Sequence, residues 1–476
     1  MEQHTATSDH ETVQYNSKFM WMICVVASMG GLLFGYDWVV VGGAKPFYEA
    51  YYGISADTPF LQGWGMSSAL VGCIFGAVLS GFLSDRFGRK KLLILAGFTF
   101  TLSALWTAMS ATFAGYSIAR IIGGMGIGLA SNLSPMYIAE ISPAKVRGKF
   151  VSINQLTIVV GILAAQLVNF MISRLHPIPE ESGITQIAQS WHGQYGWRWM
   201  FAAETVPAAL FFLLMFFIPE SPRWLVKYGR KAEAKKILAR IGGEDYANAE
   251  VSDISATLAS EEIGKVRYSD LLEPKLLKMV WLGVFLAVFQ QWCGLNVIFN
   301  YAQEIFTAAG YGVGDIMFNI VITGLVNLVF TIVAMYTVDR YGRKALMLLG
   351  SAGLAGIYAI IGTGYFFEAK GVYMLILVLA AIASYAMSLA PVTWVLISEI
   401  FPNRIRGAAV AVAVFSLWVA STILVLTFPY LNRSLGAHGT FWVYGGICLV
   451  GFLVVLRKLP ETKGKSLEQI ERELVD

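Results

Sequence analysis

The chain has 476 residues, of which 56% are hydrophobic, 14% are charged and 47 are glycine. An ordinary soluble domain has about 25% charged residues, so this chain has too few charges to cover the surface of a soluble protein of its size. The composition argues against a soluble enzyme, a disordered chain and a disulfide scaffold, and it favours a protein that crosses the membrane several times. The four cysteines show no Cys-x-x-Cys spacing and the five histidines lie in predicted tails or connections, so no metal site is predicted.

Twelve apolar runs are long enough to cross a hydrocarbon core of ~30 Å as a helix. They cover about residues 19–41, 64–83, 92–112, 115–138, 150–173, 199–218, 279–300, 315–338, 345–367, 373–398, 408–430 and 440–457. The first run is longer than the apolar core of a signal peptide, so we interpret it as a retained span. The sequence therefore predicts an all-α membrane protein with twelve transmembrane helices.

Lysine and arginine residues predict the orientation of these spans. If both termini are cytoplasmic, the segments that follow spans 2, 4, 6, 8, 10 and 12 contain 28 of the 35 basic residues, and Lys18 lies in the N-terminal tail. The outer segments then contain five, namely Lys45, Arg174, Arg198, Lys370 and Arg433. Because basic residues are enriched in cytoplasmic connections, we expect both termini in the cytoplasm, and in a bacterium an inner-membrane location.

Three motifs occur twice, in the same order and after corresponding spans. The six residues 85–90 after span 2 recur as residues 339–344 after span 8. The other repeats pair Glu140 and Arg147 with Glu399 and Arg406, and Pro219-Glu220 with Pro460-Glu461. We therefore predict two pseudo-symmetric six-helix halves with a substrate site between them near the midplane. The expected divisions are a tail at 1–18, a half at 19–218, a cytoplasmic helical linker at 219–278, a half at 279–457 and a tail at 458–476.

These motifs, with Pro219 to Arg223, Pro460 to Gly464 and the amides Gln290, Gln291 and Asn296, resemble the sugar porter family of the major facilitator superfamily. The likeness extends along nearly the whole chain. Within the family, the segments Gly35 to Asp37, Tyr137 to Glu140 and Phe201 to Glu204 are similar to bacterial xylose/proton symporters. The resemblance implies the major facilitator fold and transport of a monosaccharide, a pentose or a hexose, by alternating access, with the proton as coupling ion and no other cofactor.

Three ionisable residues lie inside predicted spans at similar depth in the first half: Asp37, Arg120 and Glu204. Such groups are costly in a membrane and indicate function. Asp37 is the expected proton acceptor, and Glu204 is expected to receive Arg120 when Asp37 is neutral, as the resemblance also implies. The alternative is a helix-packing ion pair without a transport role.

A sugar site needs amides for hydroxyl groups and aromatic rings for apolar faces. Spans 7, 8 and 11 contain Gln290, Gln291, Asn296, Asn327 and Trp418, and the resemblance adds Phe34, Gln155 and Trp394. Two positions depart from the xylose symporters, because Leu417 replaces a glutamine and Asn300 replaces the first of two tyrosines, which leaves Tyr301. The sugar therefore stays open between pentoses and hexoses. The glycine-containing segment from Phe289 to Asn300 is expected to kink and close over the sugar.

The repeated charges are expected to form a cytoplasmic gate that bridges the helix ends when the inner side is shut. The residues expected in this gate are Arg86, Arg89, Glu140, Arg147, Glu220, Arg223, Asp339, Arg343, Glu399, Arg406 and Glu461. Tyr301 of span 7 is a further expected gating residue. Plain cytoplasmic anchoring by basic residues is the alternative, but it does not explain the acids. We expect a monomer in a lipid bilayer that binds a small sugar and no nucleic acid. A facilitative uniporter remains the same-class alternative, and a sugar sensor or a membrane enzyme ranks lower.

Overall fold

The computed structural model describes residues 15–176, 183–263, 271–402 and 405–463. The predicted tails at 1–18 and 458–476 lie only partly within these ranges, and the side chain of Asp339 lies outside the described part. The helices before the linker are α1 (Ser17–Tyr52), α2 (Pro59–Phe87), α3 (Arg89–Met109), α4 (Phe113–Ile141), α5 (Ala144–Leu175), α6 (Ile184–Gln189), a π-helical segment (His192–Gly196), α7 (Trp197–Ala202) and α8 (Thr205–Leu214).

The remaining helices form the linker and the second half of the bundle. They are α9 (Pro222–Lys227), α10 (Lys231–Ile263), α11 (Pro274–Trp292), α12 (Leu295–Asn300), α13 (Ala302–Ala308), α14 (Val313–Tyr341), α15 (Arg343–Phe366), α16 (Val372–Met387), α17 (Leu389–Glu399) and α18 (Arg406–Lys458). A kink at Gly243, where φ is 88°, divides α10. Arg240 of α10 lies over the Phe19 ring at 4.0 Å, which packs the linker against the start of α1.

The twelve predicted spans correspond to single helices, to two parts of one long helix, or to pairs of helices separated by a break. Ten helical stretches of the described chain are long and apolar enough to span a membrane. One of them, α18, contains spans 11 and 12 and bends at Gly436, where φ is 66°. Span 6 is formed by α7 and α8, which a turn separates. Spans 7 and 10 are also interrupted, at Gly294 with φ 85° and at Ser388 with ψ −87°, and the predicted kink in Phe289 to Asn300 is confirmed.

Small residues allow α2 and α4 to pack closely, as the spacing of Gly124 and Gly128 predicts. The Cα of Gly72 on α2 lies within 3.0 Å of where a Cβ on Gly124 would be, and the backbone of Gly76 would meet a Cβ on Gly128 at 2.8 Å. Larger side chains at these positions would force the two helices apart. This packing fixes α4, and with it Arg120, against the rest of the first half.

We call the end of the bundle that carries residues 85–90 and 339–344 the basic end, and the opposite end the far end. Several contacts between the two halves lie toward the far end. They are Lys45 with Glu304, Asp57 with Arg433 (3.4 Å), Gln166 with Thr323 (3.4 Å), and Gly42 against the carbonyl oxygen of Phe299. The two halves are therefore closed against each other at the far end.

The prediction that Lys45 lies in an outer connection is wrong. Helix α1 continues to Tyr52, and the Lys45 side chain is 2% exposed within it. Glycines, a proline and two charges lower the local hydropathy after residue 41, but aromatic contacts hold this segment against the bundle. Tyr48 packs against Tyr116 at 5.0 Å and Phe47 against His192 at 5.2 Å. The expectation of only three ionisable residues within the spans is wrong for the same reason, because α1 also contains Glu49.

Candidate functional site

Asp37 of α1 and Arg120 of α4 form a buried ion pair. Arg120 Nη1 donates to Asp37 Oδ1, and Nη2 donates to the Asp37 carbonyl oxygen at 3.2 Å. Both side chains are 2% exposed. Within the described residues, Asp37 Oδ2 and Arg120 Nε have no hydrogen-bond partner. The pair is therefore hydrogen-bonded on one side, and on the other side it has a carboxylate oxygen that can accept and an N–H group that can donate.

Glu204 lies beside this pair, in the turn between α7 and α8. Its carboxyl group is buried and interacts electrostatically with Asp37 and Arg120. The Arg120 guanidinium also lies over the Phe201 ring at 5.3 Å, a cation–π contact from the same broken span. The structure thus brings the three predicted proton-coupling residues together, with two carboxylates next to one permanent positive charge.

A cavity borders the ion pair and reaches the second half of the bundle. Asp37, Trp38 and Arg120 line it from the first half, and Asn300 at the end of α12 lines it from the second. Its other walls are apolar and consist of Val41, Met66, Ala69, Leu70 and Ile127. Asn300, where the sequence departs from the pattern of the xylose symporters, therefore lines the same cavity as two of the ionisable residues.

The amides of span 7 form a chain of hydrogen bonds. Asn296 Nδ2 donates to Gln291 Oε1, and Gln291 Nε2 donates to Gln290 Oε1 at 2.5 Å. Gln290 Nε2 then donates to the hydroxyl of Tyr385 on α16 at 2.6 Å. The interruption of the helix at Gly294 brings Asn296 back toward Gln291. Tyr385 was not predicted, and a hydroxyl in the middle of apolar span 10 is the signal that could have identified it.

Aromatic rings from both halves meet at Trp38, which also lines the cavity. The ring centroids of Phe34 and Trp38 on α1 lie 5.9 and 6.0 Å from that of Trp418 on α18. Trp418 Nε1 is buried and has no acceptor within the described part of the chain, so it is a donor available to a polar ligand. Phe34 and Trp418 were predicted, whereas Trp38 was not.

The remaining predicted binding residues are more dispersed. Gln155 is half-buried on α5, Asn327 is buried on α14, and Trp394 on α17 is 39% exposed. Among the described hydrogen bonds, none joins these three to the amide chain. Tyr301 lies toward the far end, where its hydroxyl donates to the Val425 carbonyl oxygen at 2.7 Å.

Matching networks of charges occupy the basic end of each half. Arg89 Nη2 donates to Glu140 at 2.9 Å, and Ser221 donates to the same carboxylate at 2.6 Å. In the second half, Arg343 Nη2 donates to Glu399 at 3.2 Å and Thr462 donates to it at 2.6 Å. These pairs join helices of the same half. Ser221 and Thr462 were not assigned roles, although each directly follows a repeated glutamate.

Glu220 and Glu461 cap the first turns of α3 and α15. Glu220 Oε1 accepts from the backbone N–H groups of Arg89 and Lys90 at 3.0 and 3.1 Å. Glu461 accepts from those of Arg343 and Lys344 at 2.9 and 3.1 Å. The glycine before each helix, residue 88 or 342, has φ near 90° and leaves room for the carboxylate. The repeated motifs therefore satisfy helix N-termini that would otherwise lack acceptors.

The pKa of Glu461 gives a test of this capping. Partial burial raises it, but backbone donors from Lys463, Arg343 and Lys344 outweigh burial and hold the pKa below its ordinary value of 4.5. A lowered pKa in the folded state means that the carboxylate stabilises the fold above pH 4.5 and loses this effect as the pH falls through the folded value.

We therefore expect Glu461→Gln to lower the Tm of the detergent-purified protein at pH 7 by about 1–3 °C. The difference from the parent protein should shrink as the pH falls below 4.5 and through the lowered pKa of Glu461. Thermal unfolding followed by intrinsic fluorescence measures both effects. Glu244→Gln, at an exposed linker position, is the control. A Tm difference that does not change with pH would contradict the capping role.

Other predicted gating residues lie at the same end. The exposed Arg86 lies over the Phe87 ring at 5.3 Å, and Arg406 donates to the Phe401 carbonyl oxygen at 3.3 Å. Arg147 is exposed and interacts with Glu250 of the linker. Arg223 is the second residue of α9 and has interactions of its own. A gating role for these residues stays a prediction.

Comparison with known proteins places the chain in a family. The "Sugar (and other) transporter" family model matches residues 23–474. The "Arabinose-proton symporter" of Bacillus subtilis is 41% identical over 97% of this chain and 96% of its own length. The "D-xylose-proton symporter" of Escherichia coli K12 is 40% identical over 96% of each chain.

The fold is likewise similar to a solved structure. The partially occluded inward-open conformation of the xylose transporter XylE from E. coli has a TM-score of 0.82 and 36% sequence identity, over 94% of this chain and 100% of that chain. This similarity supports the predicted arrangement of twelve helices in two six-helix halves. The chain is therefore a multi-pass membrane transporter that belongs to the sugar transporter family.

Proposed function

We propose that the protein imports a monosaccharide together with a proton by alternating access. The observation that carries this proposal is the buried pair of Asp37 and Arg120, which borders a cavity shared with Asn300 of the opposite half. A titratable carboxylate at the boundary between the two moving halves allows protonation to influence how the halves close. The relatives named for arabinose–proton and xylose–proton symport support the same reaction.

Asp37 is the proton acceptor in this proposal. When it is ionised, the Arg120 guanidinium holds it through two hydrogen bonds. Protonation removes the charge and weakens the pair, and Glu204 then accepts the guanidinium, so that the positive charge is not left alone in a buried site. The loaded and unloaded states thus differ in how α1 is held against α4 and the broken span 6.

The sugar lies between the amide chain and the aromatic rings in this proposal. The Gln290, Gln291 and Asn296 amides both donate and accept, which suits the hydroxyl groups of a sugar. Phe34, Trp38 and Trp418 provide apolar surface for a pyranose face. Arabinose and xylose are the first candidates, because the relatives are named for them.

The proposed topology follows from the charge distribution. The basic end faces the cytoplasm, both termini lie on that side, and the protein acts as a monomer in the inner membrane without a cofactor other than the proton. Residues 219–278 then form a cytoplasmic linker between halves at 19–218 and 279–457. Closure of the far end corresponds to an inward-facing state, in agreement with the conformation of the similar XylE structure.

Uptake into proteoliposomes tests the proposal directly. With a more acidic exterior, we expect radiolabelled D-xylose or L-arabinose to accumulate above its external concentration, and a protonophore should abolish this accumulation. A panel that adds glucose, galactose and inositol identifies the preferred sugar. Uptake that only equilibrates would indicate a facilitative uniporter, and the absence of uptake for the whole panel would reject sugar transport.

A further inference from the structure

A second buried ion pair lies at the far end of the bundle and joins the two halves. Lys45 of α1 contacts Glu304 of α13, and it also lies 3.2 Å from Glu49, one turn further along α1. Gln62 of α2 donates to Glu49 at 3.3 Å. We propose that Lys45, Glu49 and Glu304 form an ion-pair latch that holds the far end closed and opens when Glu304 moves away with the second half.

Of the two carboxylates that contact Lys45, only one can move away from it. The Lys45 and Glu49 side chains are 2% and 11% exposed and belong to the same helix, whereas Glu304 is 28% exposed and belongs to the other half. Leaving a buried ammonium without a partner is costly. Since Glu49 is one turn from Lys45 on the same helix, it stays beside Lys45 wherever α1 remains helical, and release of Glu304 does not leave Lys45 unpaired. Glu304 is therefore the partner that can leave, which is the property a reversible latch needs.

The surrounding contacts place the latch on a part of the second half that is divided into short pieces. Glu304 lies on the seven-residue helix α13, which follows the six-residue helix α12, and a break at Gly294 precedes both. Lys45 Nζ also lies 5.3 Å from the centre of the Tyr301 ring, between these helices. A movement of α12 and α13 against α1 would thus separate Lys45 from both groups at once.

The latch and the proton site share helix α1. Asp37 and Lys45 are eight residues apart, which is about 12 Å along the helix axis. Asp37 is paired within its own half, whereas Lys45 is paired across the halves. A shift of α1 that follows protonation of Asp37 would therefore reach the latch through one continuous helix. This link rests on the proposed function, but the existence of the latch does not.

The distance between the halves at the far end tests the latch without sugar or a proton gradient. The four native cysteines are first replaced, and cysteines are introduced by Met109→Cys and Phe367→Cys, at two exposed residues of that end. Pulsed electron paramagnetic resonance then measures the distance between spin labels on these two cysteines. We expect Glu304→Gln to increase the ratio of long to short distances by about tenfold. An unchanged distribution in a correctly folded Glu304→Gln protein would overturn the proposal.

Two further variants separate a latch from general destabilisation. Lys45→Glu places three carboxylates together and should open the far end, and adding Glu304→Lys should restore closure, because a cation again faces carboxylates of α1. Asp57→Asn is the matched control, since Asp57 also pairs across the halves but is 89% exposed, and exposed pairs contribute little. Failure of the charge reversal to restore the short distance, or an Asp57→Asn effect as large as that of Glu304→Gln, would also count against the latch. If the parent protein showed no proton-driven uptake but Glu304→Gln still lengthened the distance between the halves, only the proposed function would be rejected.

Discussion

Asp37→Asn is expected to abolish proton-driven accumulation of sugar and to leave sugar exchange intact. Asparagine keeps the shape of the side chain and still accepts hydrogen bonds from Arg120, but it does not bind a proton at physiological pH. One coupled proton drives up to about tenfold accumulation per pH unit, since a pH unit corresponds to 1.36 kcal/mol. The accumulation ratio of the variant should therefore fall to one.

Two assays on the same proteoliposomes measure this result. Uptake under an imposed pH gradient gives the accumulation ratio, and counterflow of labelled against unlabelled D-xylose gives the exchange rate. Asp315→Asn, at an exposed carboxylate in the first turn of α14, should retain both activities. Accumulation that persists in Asp37→Asn would remove Asp37 from the coupling reaction, and loss of counterflow as well would assign it a role in closure of the loaded carrier.

The sequence predicts the site best where an ionisable side chain lies inside a span, because burying a charge in the membrane is costly and few arrangements can stabilise it. Asp37, Arg120 and Glu204 are ionisable groups in apolar runs, and a permanent charge such as that of Arg120 needs a carboxylate partner. The structure brings all three together. The repeats likewise indicate equivalent positions, and the equivalent capping of α3 by Glu220 and of α15 by Glu461 gives these motifs a physical reason beyond gating.

The sequence predicts less where packing between helices decides the outcome. The segment after residue 41 has low hydropathy, and its packing contacts, among them those with Tyr116 and His192, explain why α1 continues to Tyr52. Lys45 and Glu49 have the i, i+4 spacing of a helical ion pair, which could have indicated the longer helix. Their third partner, Glu304, is more than 250 residues away, and no local pattern predicts that contact.

The interruptions of spans 6, 7 and 10 each have a local signal in the sequence. A glycine at 294 predicts a weak point in span 7, and its positive φ confirms this. Spans 6 and 10 carry their signal a few residues after the break, at Pro207 and Pro391. Each proline lacks the N–H that would bond the carbonyl oxygen four residues earlier, at Ala203 or Met387, and its ring clashes with that carbonyl. The first of these breaks places Glu204 next to Arg120.

Gln291→Ala should weaken sugar binding more than any other single change in the amide chain. Gln291 is the central member, because it accepts from Asn296 and donates to Gln290. Its removal deprives the sugar of a partner and also frees both neighbours from their positions. Loss of one or two buried hydrogen bonds corresponds to about 10-fold to 100-fold weaker binding. Isothermal titration of the detergent-purified protein with D-xylose and with L-arabinose measures the Kd.

Two further substitutions show whether the chain acts as a unit. Tyr385→Phe removes only the terminal hydroxyl, which accepts from Gln290, so its effect should be smaller than that of Gln291→Ala and should not add to it fully in the double variant. Gln189→Ala, at an exposed position of α6, should leave the Kd unchanged. If Gln291→Ala bound both sugars as tightly as the parent protein, the amide chain would be a packing feature, and the sugar would have to lie against the aromatic rings and the cavity beside Asp37.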